Sequence, residues 1–290
     1  MEVIFSTLIN GLSLGGIYAM IALGYTMVYG IAKMLNFAHG DIIMVGGYVI
    51  FVFMATHNPL LAVAMAVVCC VLLGVIIEKV AYKPLRGASP LAVLITAIGV
   101  SYLLQSLAQI VFGSAPKMVT VYEFGSIQFL GANIQISSLV TLGVTIVVMA
   151  ALTLFVKCTR IGRAMIAVSE DRGAAQLMGI NVNGIITITF AIGSALAALA
   201  GLFYLLKAPT VSNTMGAMPG IKAFTAAVIG GIGSIPGAML GGILLGMVES
   251  ISYKITAIAP YTDAIEFSIL IVILLVRPTG FLGKKRREKV

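Results

Sequence analysis

The sequence predicts an all-α, polytopic transmembrane bundle, and three observations predict it. Hydrophobic residues make up 60% of the 290 positions and charged residues only 10%, against about 25% charged in an average soluble domain. The mean hydropathy is +1.11, more apolar side chain than a soluble surface can hide. The apolar runs are continuous rather than alternating in segments of about ten, so the spans are helical and not an outer-membrane barrel.

A helix needs about 20 apolar residues to cross the hydrocarbon core. Runs of that kind fall at roughly 5–31, 36–56, 60–78, 91–112, 137–156, 184–206, 221–235, 237–257 and 263–277. The expectation is eight to ten spans, some broken or re-entrant, in a single domain over 1–290. The first run follows a glutamate at position 2 and no basic stretch, so it reads as a retained helix rather than a removed signal peptide. Residues 42–56 supply only about 22 Å of apolar helix, so the second span must recruit NFAHGD (36–41) or begin there as a half-helix.

Basic residues collect in three gaps: Lys79, Lys83 and Arg86; Lys157, Arg160, Arg163 and Arg172; and the tail from Arg277 through Lys284 to Lys289. Short loops rich in Lys and Arg stay in the cytoplasm. The net charge of +8 is therefore a topology signal and not a nucleic-acid footprint, with the C-terminus inside; three spans before the first basic gap put the N-terminus outside, and a re-entrant 36–56 or 221–235 changes that count. Residues 113–136 then face outward, and the alternation in TVYEFGSIQFLGANIQI reads as a β-hairpin turning near Gly131, Ala132 and Asn133. Cys69, Cys70 and Cys158 suggest neither a disulfide framework nor a metal site.

Glycines cluster. In VIGGIGSIPGAMLGGILLG (228–246), Gly233, Gly237 and Gly241 recur every four residues, as do Gly242 and Gly246; Gly11 and Gly15 do the same near the start. Small residues at that spacing let helices approach closely in lipid. Pro236 removes a backbone donor and is expected to break its helix. With the short second span, this makes two interrupted elements in two halves, a pattern of transporters built from repeats.

Asn36, His39 and Asp41 carry two readings: a polar lining or hinge of a transport pathway, or a helix start, with Asp41 capping free amides and His39 structural. Of the acids Asp41, Glu249 and Glu266, none reads as central. The segment TRIGRAMIAVSEDRGAAQLMGINVNGI (159–185) is too polar to cross and too patterned for a linker. Met165, Val168, Leu177 and Ile180 punctuate it, with Glu170, Asp171 and Arg172 between, giving one or two surface helices. No G-x-x-x-x-G-K-[ST] loop and no nucleophile elbow occurs, so the chain reads as no enzyme.

Three stretches carry a resemblance: GLSLGGIYAMIALGYTMVYGIAKMLNFAHGD, RIGRAMIAVSEDRGAAQLMGIN and AFTAAVIGGIGSIPGAMLGG. Over essentially its whole length the chain resembles the permease subunits of bacterial branched-chain amino acid ABC importers, with a type II ABC importer-like fold. The resemblance implies an inner-membrane location, a second homologous permease chain in a heterodimer, and surrounding lipid. It also implies two cytosolic ATPases and a periplasmic or extracellular binding protein delivering leucine, isoleucine or valine. No cofactor is expected on this chain, since ATP is used by the partners.

Importer permeases carry a cytoplasmic EAA-xxx-G loop that docks on the ATPase. Ala174, Ala175 and Gly179 match its AA-xxx-G, while Gly173 replaces the glutamate. The resemblance thus marks about 158–183 as the coupling loop, with Arg163, Glu170, Asp171, Ala174, Ala175 and Gly179 as its candidate residues. Asn36, His39, Asp41, Gly233, Gly237 and Gly241 are the pathway and packing candidates. The alternative is an ion-coupled secondary transporter or channel without an ATPase.

Overall fold

The computed structural model describes residues 2–55, 58–119, 125–129 and 132–283. Seven of its helices are long and apolar enough to cross a membrane: α1 (Glu2–Ala32), α3 (Pro59–Ile77), α4 (Pro90–Phe112), α5 (Ile136–Cys158), α8 (Val182–Lys207), α10 (Ile235–Lys254) and α11 (Thr262–Val276), the last together with the 3-10 turn Ala259–Tyr261 that leads into it. Two shorter apolar helices, α2 (His39–Met54) and α9 (Ala217–Gly230), complete the bundle. Each falls on one of the nine expected runs. Two small helices, α6 (Arg160–Glu170) and α7 (Arg172–Leu177), make up the polar loop.

Helix starts follow local chemistry. Asn58, Ser89, Thr159, Asp171, Asn181 and Ser234 each accept a backbone N–H from three residues on, as N-caps should. Pro59, Pro90 and Pro236 sit in the first turn, where the missing donor costs nothing. Pro236 therefore opens α10 rather than breaking a longer helix.

α1 is the central post, buried almost continuously from Ser13 to Ile31. It packs on α10, α8, α9 and α5. Glycine sets the closest contacts. A Cβ at Gly246 would lie 2.1 Å from the Gly15 nitrogen, and one at Gly242 would lie 2.4 Å from the Ala19 nitrogen. On the other face of α10, a Cβ at Gly241 would meet the Ala226 carbonyl oxygen at 2.0 Å and one at Gly237 the Gly230 oxygen at 2.3 Å, both on α9. The two spacings of four thus serve two different neighbours. Gly233 departs from the expected row: it lies in the turn between α9 and α10 with φ +94°, not on the helix.

The interrupted elements are placed differently from expectation. α2 is 16 residues and α9 is 14, about 24 and 21 Å long, each short of the roughly 30 Å core. Their N-termini abut: a Cβ at Gly40 would lie 2.5 Å from the Gly216 oxygen. His39, at the start of α2, lies against Gly24 of α1 and Gly193 of α8, well inside both long helices. The second interruption therefore precedes α9, at 208–216. The expected break at 228–246 is a tight turn tied to the chain end, where Phe281 N–H donates to the Ile229 carbonyl.

Two short ladders lie at the opposite end from the polar loop. β2 (Ser126–Phe129) pairs antiparallel with β3 (Ala132–Gln135), a hairpin as expected, although Ala132 and Asn133, expected in its turn, pair with Phe129 and Gln128 in the ladder; β1 (Lys117–Met118) pairs with β4 (Thr210–Val211). Tyr122, Gly131 and the basic tail 284–289 lie outside the described residues.

Candidate functional site

The NFAHGD side chains diverge. Asn36 is 2% exposed, and its Oδ1 accepts from Tyr82 Oη at 2.9 Å. His39 is buried with its ring edge-on to Tyr25 at 4.8 Å, filling the notch left by Gly24, where a Cβ would lie 2.3 Å from Nε2. Asp41 does not cap: the N-cap is Ala38, without a side-chain bond, and Asp41 Oδ1 accepts from Gln105 of α4 at 2.9 Å. Three polar groups thus anchor the start of α2 to three different neighbours. They stiffen a half-helix start and form no shared site.

The polar centre lies elsewhere, and sequence reasoning missed it. Lys222, in the first half of α9, is 5% exposed. Its Nζ stands 3.2 Å from Glu249 of α10, 2.8 Å from Asp263 and 3.2 Å from Glu266 of α11. Tyr18 of α1 donates to Glu249 at 2.6 Å. Glu249 and Glu266, taken as peripheral, are buried and central: three helices meet on one ammonium, and α1 joins them through Tyr18 and Glu249. Removing one partner of such a buried pair costs about 3–5 kcal/mol. The available signal was Lys222, a lone lysine in the apolar run AMPGIKAFTAAVIG, since intramembrane charge is costly and marks function. Its carboxylates are on other helices, so no spacing reveals them.

This cluster floors a cavity of about 820 Å³ that opens toward the hairpin, with Asn133 and Gln135 at its wall. Lys207 and Tyr253 add polar groups, and Leu14, Met218 and Pro219 add apolar surface.

At the opposite end, α6 buries Gly162, Met165 and Val168 on one face. Arg163, Glu170 and Asp171 face outward, and Asp171 is engaged as the cap of α7. Ala174 is exposed, but Ala175 is 4% exposed against its own chain. The expectation that Ala175 meets a partner is therefore corrected: the helix turn points it inward. Gly179 (φ +81°) ends α7, with Ile180 N–H donating to the Ala175 carbonyl across it, the left-handed stop that glycine favours. The turn leaves Leu177 at 90% and Met178 at 82% exposure.

Arg172 turns back onto the bundle. Its Nη2 donates to the Ile31 carbonyl at 3.0 Å, capping the C-terminal end of α1 from the loop. Burial, and then the charge of Arg86, hold its pKa below the usual arginine value. Beside it, Glu78 accepts from Thr187 at 2.8 Å and pairs with Arg86, which also reaches Asn183. The end of α3 and the start of α8 are tied together there.

Residues 7–274 match the family described as branched-chain amino acid transport system / permease component. The chain is 44% identical to the high-affinity branched-chain amino acid transport system permease protein BraD of Pseudomonas aeruginosa, over 98% of this chain and 97% of that one. It is 43% identical to the permease protein LivH of the corresponding Escherichia coli system, over 97% and 96%. A probable branched-chain amino acid transport permease of Methanocaldococcus jannaschii is 30% identical over 91% and 88%. A bundle of apolar helices around a polar cavity, matched end to end by these relatives, is a membrane permease subunit, and the chain belongs to the branched-chain amino acid transport system permease family.

Proposed function

We propose that the chain forms, with a second permease chain of similar fold, the membrane pathway of an ATP-driven importer of leucine, isoleucine and valine. The observation that carries this reading is the end-to-end similarity to permeases named for branched-chain amino acid transport. Arg86, Arg163 and Arg172 lie at one end of the bundle and the hairpin at the other. By the basic-loop bias, the α6–α7 loop and the C-terminus face the cytoplasm, and the cavity opens outside toward a binding protein.

The chain has no phosphate loop of its own, so cytosolic ATPases supply the work. Leu177 and Met178 are the anchors on which they dock: two large apolar side chains with no neighbour at home, at the tip of the loop. ATP-driven motion there reaches α1 through Arg172 and Ile31. The glycine contacts of α1 with α10 carry it to the cavity floor. A rigid, closely packed post switches between discrete arrangements rather than deforming continuously.

The test is uptake of labelled leucine into proteoliposomes holding this chain with its co-expressed partners. Uptake should require ATP and the external binding protein. Uptake driven by an ion gradient alone would overturn the reading.

A further inference from the structure

The cavity carries both signs of charge, with Lys207, Lys222 and Lys254 in its lining beside Glu249 and Asp263. Lys222 meets three carboxylates, from Glu249, Asp263 and Glu266, at 2.8–3.2 Å. An ammonium has three donors, whereas each ionised carboxylate has about four acceptor positions. Most of the acceptor capacity is left over beside the cavity. Two of these carboxylates, Glu249 and Asp263, line it.

Two further lysines, Lys207 and Lys254, line the same cavity. Lys207, at the end of α8, lines the cavity and has no ion pair within 4 Å among the described residues. Met218 and Pro219, in the first turn of α9, also line it. The N-cap of α9, Gly216, supplies no side-chain bond. Ala217 N–H already donates to the Thr214 carbonyl and Pro219 has no N–H, so what this helix start offers is the Met218 N–H and its partial positive charge. Leu14 and Met218 supply apolar surface in the same lining.

We infer that this cavity is a transient binding site for the zwitterionic head of an α-amino acid, occupied after release from the binding protein and before passage. The ammonium is taken by Glu249 and Asp263. The carboxylate is taken by Lys207 and the start of α9, and the aliphatic side chain lies against Leu14 and Met218. Desolvating both charges of a zwitterion requires paired partners of both signs, and this cavity offers both. The volume, about 820 Å³, lies within the 300–1,000 Å³ usual for small-molecule sites. This inference rests on the importer reading above and adds a site on the permease itself.

The experiment measures equilibrium binding of labelled leucine to the purified membrane complex in nanodiscs, without binding protein. Two shape-matched competitors are used: 4-methylpentanoate, which lacks the ammonium, and 3-methylbutylamine, which lacks the carboxylate. Leucine should bind, and unlabelled leucine should compete at least 10-fold better than either. Asp263 is half exposed at the rim, so Asp263→Asn tests the ammonium partners with little risk to folding, and Lys207→Met tests the carboxylate partners. Each should weaken leucine binding about 10-fold, Asp263→Asn without changing competition by 4-methylpentanoate and Lys207→Met without changing competition by 3-methylbutylamine. No binding by a complex that imports leucine with ATP, equal competition by either analogue, or unchanged affinity in both variants overturns the inference alone. Absence of ATP-dependent leucine uptake by the full complex overturns the importer reading and the inference with it.

Discussion

Replacing Leu177 and Met178 together by alanine should detach the ATPases while leaving the permease folded. The two side chains are 90% and 82% exposed, so neither contributes packing within the chain. Burying a Leu or Met side chain is worth about 1.5–3 kcal/mol. Truncation keeps a methyl group, and the two losses share one pocket, so the pair should cost about 2–4 kcal/mol. That is a 30- to 1,000-fold loss of affinity. The assay is co-purification of ATPase with tagged permease across a dilution series, with the thermal stability of the permease measured in parallel. Glu170→Gln, on the exposed face of α6, should change affinity by about 0–1 kcal/mol at most. Ala175→Trp should act differently: Ala175 is buried against its own chain, so the bulk would dislodge α7 and lower permease stability. A double alanine variant that keeps its ATPases at wild-type affinity would refute the docking assignment.

Gly246→Ala should lower thermal stability and uptake together, because its Cβ would lie 2.1 Å from backbone in α1 and overpacking costs about 1–3 kcal/mol; unchanged melting would show that α1 and α10 do not approach so closely. Gly237→Leu should block uptake while the ATPases stay bound, since even a Cβ would meet the Gly230 oxygen at 2.3 Å; near-normal uptake by a well-expressed variant counts against it. Arg172→Ala should leave the ATPases attached but abolish stimulation of ATP hydrolysis by loaded binding protein, with partial rescue by Arg172→Lys. The lost bond to the Ile31 carbonyl is charge-assisted and worth about 1.5–3 kcal/mol, and full stimulation in Arg172→Ala would exclude the link to α1. For topology, a cysteine at Arg163 in a Cys158→Ser background should resist a membrane-impermeant maleimide in intact cells, because basic loops stay inside; labelling from outside would invert the bundle.

The nine apolar runs and the small-residue spacings of α1 and α10 were legible in the sequence, whereas the start of α10 at Ser234 reads there as a break at Pro236. Hydropathy and glycine packing act between residues close along the chain, or through a property of one segment alone. What each glycine faces was not legible. Gly237 and Gly241 turn to α9 while Gly242 and Gly246 turn to α1, and the spacing is the same in both. Whether Asp41 capped its own helix or reached Gln105 depended on where α4 packs. The inward turn of Ala175 and the exposure of Leu177 depended on how α7 lies on the bundle. The charged centre was least legible of all. Lys222, Glu249, Asp263 and Glu266 sit on three helices; the sequence reading takes Glu249 and Glu266 as not central and passes over Lys222 and Asp263. Only the packing of α9, α10 and α11, with α10 held close to α1 and α9 at glycine, brings those charges within 3.2 Å of one ammonium beside the cavity.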